Sequence, residues 1–192
     1  MVVVKFLNRV NSLIDKKGLE VNFAQNVASR WLITNNLSSS FSQTSIINVL
    51  GAGNGSPINT KDMELESGFS VMTALNQHAS INDVLTVEWS KRIDSSKGKF
   101  YHVFPGAVNT NVMANGGFPW IIRMVTKVFL PLLAKSPEKA AKLLLNIPAN
   151  NPSGSLIGQS GKKLALLPCL KEDSSLGAQV WDYLEKACHC NK

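Results

Sequence analysis

Residues 99–112, KFYHVFPGAVNTNV, decide the fold. The alternation of side chains over 100–104 predicts a short buried strand. Pro105 has no amide proton, and Gly106 readily adopts left-handed backbone conformations, so the strand must end there. In open α/β sheets, ligands bind just beyond the carboxyl ends of the strands, which is where Ala107–Thr110 falls. The stretch suits a ligand-binding loop and a purely structural strand equally well.

Helical and extended patterns alternate through the rest of the chain. Residues 2–17 have apolar side chains at helical spacing, although Val2–Val4 equally suits the end of a strand. The alternation, without internal repeats, predicts one α/β domain over residues 1–192 with a mostly parallel sheet. The predicted helices cover 18–35, 69–92, 136–147 and 174–188, and the further predicted strands cover 45–50 and one or two segments within 155–167.

The composition narrows the classes of function. The 192 residues include 20 basic and 13 acidic side chains, a net charge of +7. The lysines are scattered without interleaved aromatic residues, which argues against nucleic-acid binding, while the positive charge suits an anionic ligand or a membrane surface. Cys169, Cys188 and Cys190 form neither a disulfide framework nor a complete zinc-ligand set. We therefore expect a reduced, cytoplasmic protein.

The apolar segments are too short to span a bilayer. The amino terminus, MVVVKFLNRV, lacks the apolar length and the cleavage site of a secretory signal. The longest apolar stretch, Trp120–Ala134, contains Arg123 and Lys127 and is also too short. We predict no transmembrane segment. An apolar face within Trp120–Leu133 also suits peripheral binding to a membrane surface.

The glycine run at 51–55 is a false signal for a dinucleotide-binding turn. A G-x-G-x-x-G pattern placed on Gly51 and Gly53 requires a third glycine where Ser56 stands. Pro57 and a long polar excursion follow, whereas a phosphate site requires a helix that begins at once. The run is interpreted as a flexible exit from the preceding strand.

Four segments of the chain form an ordered set: LEVNFAQNVASRWLI (19–33), SIINVLGAG (45–53), HASINDVLTVEWSKR (78–92) and FYHVFPGAVNTNV (100–112). Taken in order, they resemble the C-terminal two-thirds of a short-chain dehydrogenase/reductase, with most similarity to a divergent fungal branch associated with secondary metabolism. The resemblance covers residues 18–188 and implies a partial Rossmann-like parallel sheet flanked by helices.

The amino-terminal βαβ units that hold the adenosine half of the cofactor in this family have no counterpart in the sequence. Their absence predicts an open, apolar sheet edge at 45–50. Three alternatives follow. Residues 1–17 fold over the edge, a partner or a second copy of the chain covers it, or the sequence is a truncated gene product.

The resemblance implies an oxidoreductase that exchanges hydride between NAD or NADP and the carbonyl or hydroxyl carbon of a small organic, secondary metabolite. In the family, a tyrosine transfers the proton, a lysine lowers the pKa of that tyrosine, a serine polarises the substrate oxygen and an asparagine holds a water. These groups neutralise the charge that hydride transfer leaves on oxygen. The segment at 120–133 corresponds to the mobile lid over the substrate pocket.

The family's catalytic residues are only partly matched. Asn22 matches the asparagine, the serine position falls on Gly51, and the tyrosine and lysine positions fall on Ala74 and His78. Asn22 and His78 are the catalytic candidates. The family's cofactor loop is better preserved, and the candidate cofactor-binding residues are Pro105, Gly106, Val108 and Thr110. The alternative is a catalytically inactive relative that serves as a binding or scaffold module.

Overall fold

The computed structural model describes residues 18–109 and 134–189. The predictions for residues 1–17, for Thr110 and for 120–133 therefore lie outside the described residues.

The first helical segment contains a π-helical turn. Helix α1 (Val21–Phe23) runs through the π turn Ala24–Ala28 into helix α2 (Ser29–Leu37). The carboxylate of Glu20 begins the helix, because it accepts a 2.7 Å hydrogen bond from the Phe23 amide. The predicted helix over 18–35 is confirmed, but no sequence pattern indicated the π turn.

Four strands form one sheet in the order β1-β2-β3-β4, and the first three are parallel. Strand β4 pairs antiparallel with β3. This sheet confirms the prediction of a partial Rossmann-like α/β fold. The strands are β1 (Thr44–Val49), β2 (Gly98–Val103), β3 (Ser155–Ile157) and β4 (Lys163–Leu164).

Serine side chains cap the first turns of two of the remaining helices. Ser70 caps the long helix and Ser136 caps the next, each accepting a hydrogen bond from an amide three residues on. The prediction that the second of these ends near Ile147 was wrong, because Pro148 is accommodated in the last turn. The helices are α3 (Val71–Arg92), α4 (Pro137–Asn150), α5 (Pro168–Lys171) and α6 (Leu176–His189).

The sheet is buried on both faces because successive side chains of β2 point in opposite directions. Phe100 stacks on Trp89 at 5.8 Å between ring centroids and belongs to the larger core, which α1, α2, α3 and α6 cover. Tyr101 and Val103 pack on the other face with Ile147 of α4. Among the described residues, β1 pairs only with β2, so its outer edge is open. No described helix is both long and apolar enough to cross a membrane.

A substitution at Leu184 tests whether the larger core is packed as described. The Leu184 side chain is fully buried on α6, and Leu184→Ala should lower the free energy of unfolding by about 3 kcal/mol through lost burial and a residual cavity. The matched control is Met72→Ala on α3, where the side chain is 66% exposed and the expected cost is below about 0.5 kcal/mol. Urea unfolding followed by tryptophan fluorescence measures both. Equal costs would contradict this description of the core.

Candidate functional site

The loop after β2 lies at the carboxyl edge of the sheet and is fixed by backbone contacts. The Phe104 amide donates to the carbonyl of Ile157 at 2.9 Å, next to the end of β3. Lys135 secures the other side, because its backbone exchanges two 2.9 Å hydrogen bonds with Ala107 and Asn109. Its ammonium donates to the Pro105 carbonyl at 3.0 Å. The loop is therefore held in one conformation just beyond the carboxyl end of a central strand.

Gly106 is required by this loop geometry. Its φ of +81° lies in the left-handed region, and a Cβ there would be 2.8 Å from Oε1 of Gln159. Three candidate cofactor-binding residues, Pro105, Gly106 and Val108, thus lie together at the edge where α/β folds bind ligands. Thr110, the fourth, lies just beyond the described residues.

Mutation can separate the two constraints at Gly106, which are its left-handed backbone conformation and the close approach of Gln159. Gly106→Ala should lower the free energy of unfolding by about 2 kcal/mol, since it adds steric conflict to left-handed strain. Gly18→Ala is the matched control, because Gly18 has a φ of +86° and no described atom lies within 4 Å of its added Cβ. We expect it to cost about 1 kcal/mol. In a Gln159→Gly background, which removes both Oε1 and the Cβ that would lie 3.2 Å from the added Cβ, Gly106→Ala should cost as much as Gly18→Ala in thermal unfolding. An unchanged cost in the double variant would contradict the conflict with Gln159.

A buried acid–base pair lies under the same edge. Nδ1 of His102 on β2 is 2.6 Å from Oδ1 of Asp83 on α3, and both side chains are fully buried. Oδ2 of Asp83 accepts a 3.1 Å hydrogen bond from the Gly53 amide. That amide is therefore already bonded, which agrees with the interpretation of the glycine run as a strand exit. A buried carboxylate requires such partners, because removing charge from water is costly.

Asn22 and His78 line the same small cavity between α1 and α3. Its volume is about 10 Å³, which is room for one water. His78 is almost fully buried, and neither ring nitrogen has a hydrogen-bond partner among the described residues. Asn22 donates from Nδ2 to Oε1 of Glu20 at 2.8 Å. Ala74, at the tyrosine position of the resemblance, also lines the cavity. The cavity has room for a bridging water and is too small for an organic substrate.

Burial keeps His78 neutral. Removal of the ring from water lowers the pKa of His78 to about 4, and the nearby positive charge of Arg30 lowers it further in the same direction. Burial also lowers the pKa of Arg30, to about 10. His78 therefore acts at neutral pH as a hydrogen-bonding group that can accept at one nitrogen and donate at the other.

Sequence reasoning missed three residues near these sites. Asn26 lies in the π turn, and its carbonyl accepts a 3.0 Å hydrogen bond from Nδ2 of Asn82 on α3. Asn82 and Asp83 are fully buried on α3. Their polarity within a buried helix was an available signal, because buried polar side chains require partners. Asn26 had no such signal, since α-helical spacing does not reveal a π turn.

The pKa of His78 predicts a pH dependence of stability. Its folded-state pKa lies below the unfolded value of about 6.5, so the unfolded chain binds the extra proton and stability falls as the pH drops. From pH 8 to pH 5, this contributes a loss of about 2 kcal/mol.

The measurement is urea unfolding of the wild type and of His78→Met at both pH values. The wild type should lose about 2 kcal/mol more than the variant. The two proteins differ only at residue 78, so the difference between their pH profiles reports on His78. Parallel pH profiles would show that His78 is not buried in the neutral form.

The fold and the sequence together identify an α/β protein that is distantly related to an oxidoreductase. A 106-residue stretch, 54% of the chain, is 33% identical to oxidoreductase AN1596 of Emericella nidulans and corresponds to 31% of that protein's length. The matched stretch thus spans less than a third of this curated relative.

A solved structure shares the fold. The crystal structure of an uncharacterized protein from Mycobacterium paratuberculosis matches 93% of this chain and 62% of its own, with a TM-score of 0.63 and 18% sequence identity. No family model matches the sequence. Among residues 18–109 and 134–189, no cluster of three His, Cys, Asp or Glu side chains could hold a metal ion.

Proposed function

We propose that this protein is an oxidoreductase of the short-chain dehydrogenase type that uses NAD or NADP on a carbonyl or hydroxyl group of a small organic metabolite. The observation that carries the proposal is the fixed loop of Pro105, Gly106 and Val108 beyond the carboxyl end of β2. The distant oxidoreductase relative supports the same reaction class. We assign the activity to the cytoplasm, in keeping with the free thiol of Cys169.

The cofactor-binding role falls to the loop after β2. Lys135 holds the loop by hydrogen bonds to its backbone, so the loop is preorganised before a ligand arrives. The Thr110 hydroxyl, at the end of this loop, is assigned to the carboxamide or a phosphate oxygen of the cofactor. The nicotinamide, when bound, supplies or accepts the hydride.

The proton-transfer role falls to the cavity of Asn22 and His78. We assign to it one water that bonds a ring nitrogen of His78 and the amide oxygen of Asn22. His78 is neutral at pH 7, so it can pass a proton by donating from one nitrogen and accepting at the other. Asn22 orients the water and carries no proton.

A second candidate is a relative that binds the nucleotide without turning over a substrate. Gly51 has no hydroxyl to polarise a substrate oxygen, and Ala74 has no proton to donate. His78 is enclosed in a cavity with room for only one water. These features favour binding without chemistry.

Cofactor binding is tested by titrating the protein with NADPH and with NADH while nicotinamide fluorescence is recorded. We expect one of the two to bind with a Kd below about 1 mM. Thr110→Val should weaken binding about tenfold, the loss of one hydrogen bond, while Thr60→Val on the exposed loop before α3 should leave it unchanged. No binding of either cofactor at millimolar concentration would overturn the proposal.

Turnover separates the two candidates. A panel of small ketones, aldehydes and alcohols is assayed by nicotinamide absorbance with the wild type, Asn22→Ala and His78→Met. Oxidoreductase activity that falls in both variants supports the first candidate. Cofactor binding without turnover of any panel member supports the second.

A further inference from the structure

The outer edge of β1 presents unpaired backbone groups. The amides of Thr44 and Leu50 donate to carbonyls at the two ends of β2, so the even-numbered residues of β1 face β2. Because N–H and C=O of one strand residue point to the same side, Ser45, Ile47 and Val49 face outward. The Val49 carbonyl accepts two 3.3 Å hydrogen bonds from Arg30. Among the described residues, the outward groups of Ser45 and Ile47 have no backbone partner.

An apolar slot runs along this edge. It has a volume of about 380 Å³ and is bounded by α2 on one face of the sheet and by α4 on the other. Leu37 of α2 and Leu145 of α4 both line the slot, and they are 50% and 74% exposed. Arg30 is the one charged residue of the described lining, and its guanidinium is committed to Val49. The slot therefore fits one extended segment, in the plane of the sheet, with apolar side chains on both faces.

Chain connectivity determines which segment reaches this slot. Arg30 lies at the carboxyl end of β1, while Leu37 lines the slot near Thr44 at its amino end, so α1 and α2 run antiparallel to β1. They cover the same face of the sheet as α3, which connects β1 to β2. Crossovers between parallel strands of one sheet share the same hand. The connection from a strand before α1, through α1 and α2, to β1 has the same hand as β1–α3–β2 only if that strand lies on the open side of β1. The slot is thus the position that this rule gives to a strand preceding α1.

The sequence before Gly18 contains a segment of the required kind. Residues 2–7 read VVVKFL, a nearly continuous apolar run typical of a parallel strand that is buried on both faces. Residues 8–17 can extend over about 33 Å, which is ample to connect such a strand to α1. We propose that residues 2–7 occupy the slot as a fifth strand, parallel to β1 and hydrogen-bonded to Ser45 and Ile47.

Amide hydrogen exchange of the full chain tests this strand residue by residue. The outward amides of Ser45 and Ile47 should be as protected as the inward amides of Ile46 and Asn48. Val3→Asp places a charge in the slot and should accelerate exchange at Ser45 and Ile47 about 100-fold, while Tyr101 on β2 keeps its protection. Ser12→Asp adds the same charge to the connecting segment and should leave all five amides unchanged.

Three results would overturn the proposal. One is rapid exchange at Ser45 and Ile47 in the wild type, and another is unchanged protection in Val3→Asp. The third is protection that disappears on dilution together with a dimer in light scattering, since a second copy would then cover the edge. If Val3→Asp also exposes Tyr101, Val3→Ala replaces it, with an expected acceleration of about tenfold confined to Ser45 and Ile47.

Discussion

The buried carboxylate of Asp83 is the constraint on which the carboxyl edge of this sheet depends. A carboxylate removed from water is tolerated only with hydrogen-bond partners, and Asp83 has two, the His102 ring and the Gly53 amide. These partners lie on the central strand and on the exit from β1. One side chain of α3 therefore fixes the positions of two neighbouring strand ends, and the loop after β2 begins only two residues beyond His102.

Sequence periodicity was sufficient for most elements of the fold. The strand over 98–103 and the long helix over 71–92 are strongly patterned, because each is buried along most of its length. The end of α4 was not predictable, since Pro148 usually ends a helix and here lies in its last turn. The site was harder to predict from the sequence, because Asp83 and His102 meet only when α3 packs on β2. Such contacts depend on tertiary packing and leave no local pattern.

Arg30 of α2 and His78 of α3 are buried basic side chains, and they define the electrostatics between these two helices. The Arg30 guanidinium is satisfied in part by the carbonyl of Val49, and its Nε has no partner among the described residues. Burial lowers the pKa of His78, and the charge of Arg30 lowers it further. A positive charge at this position disfavours any second proton on His78. A proton relay through the small cavity would therefore operate with the neutral ring only.

The π turn at Ala24–Ala28 has a consequence for how this segment tolerates insertions and deletions. A π turn holds one more residue than an α-helical turn, so it acts as a single-residue insertion stored inside a helix. Loss of one residue between Phe23 and Ser29 would remove this stored residue and restore regular α geometry, while the turns on either side keep their faces. Asn22 would thus stay at the cavity of His78. Loss of one residue from the regular turns of α2 would instead rotate one part of the helix by about 100° relative to the other, so a deletion should be more acceptable in the π turn than in α2.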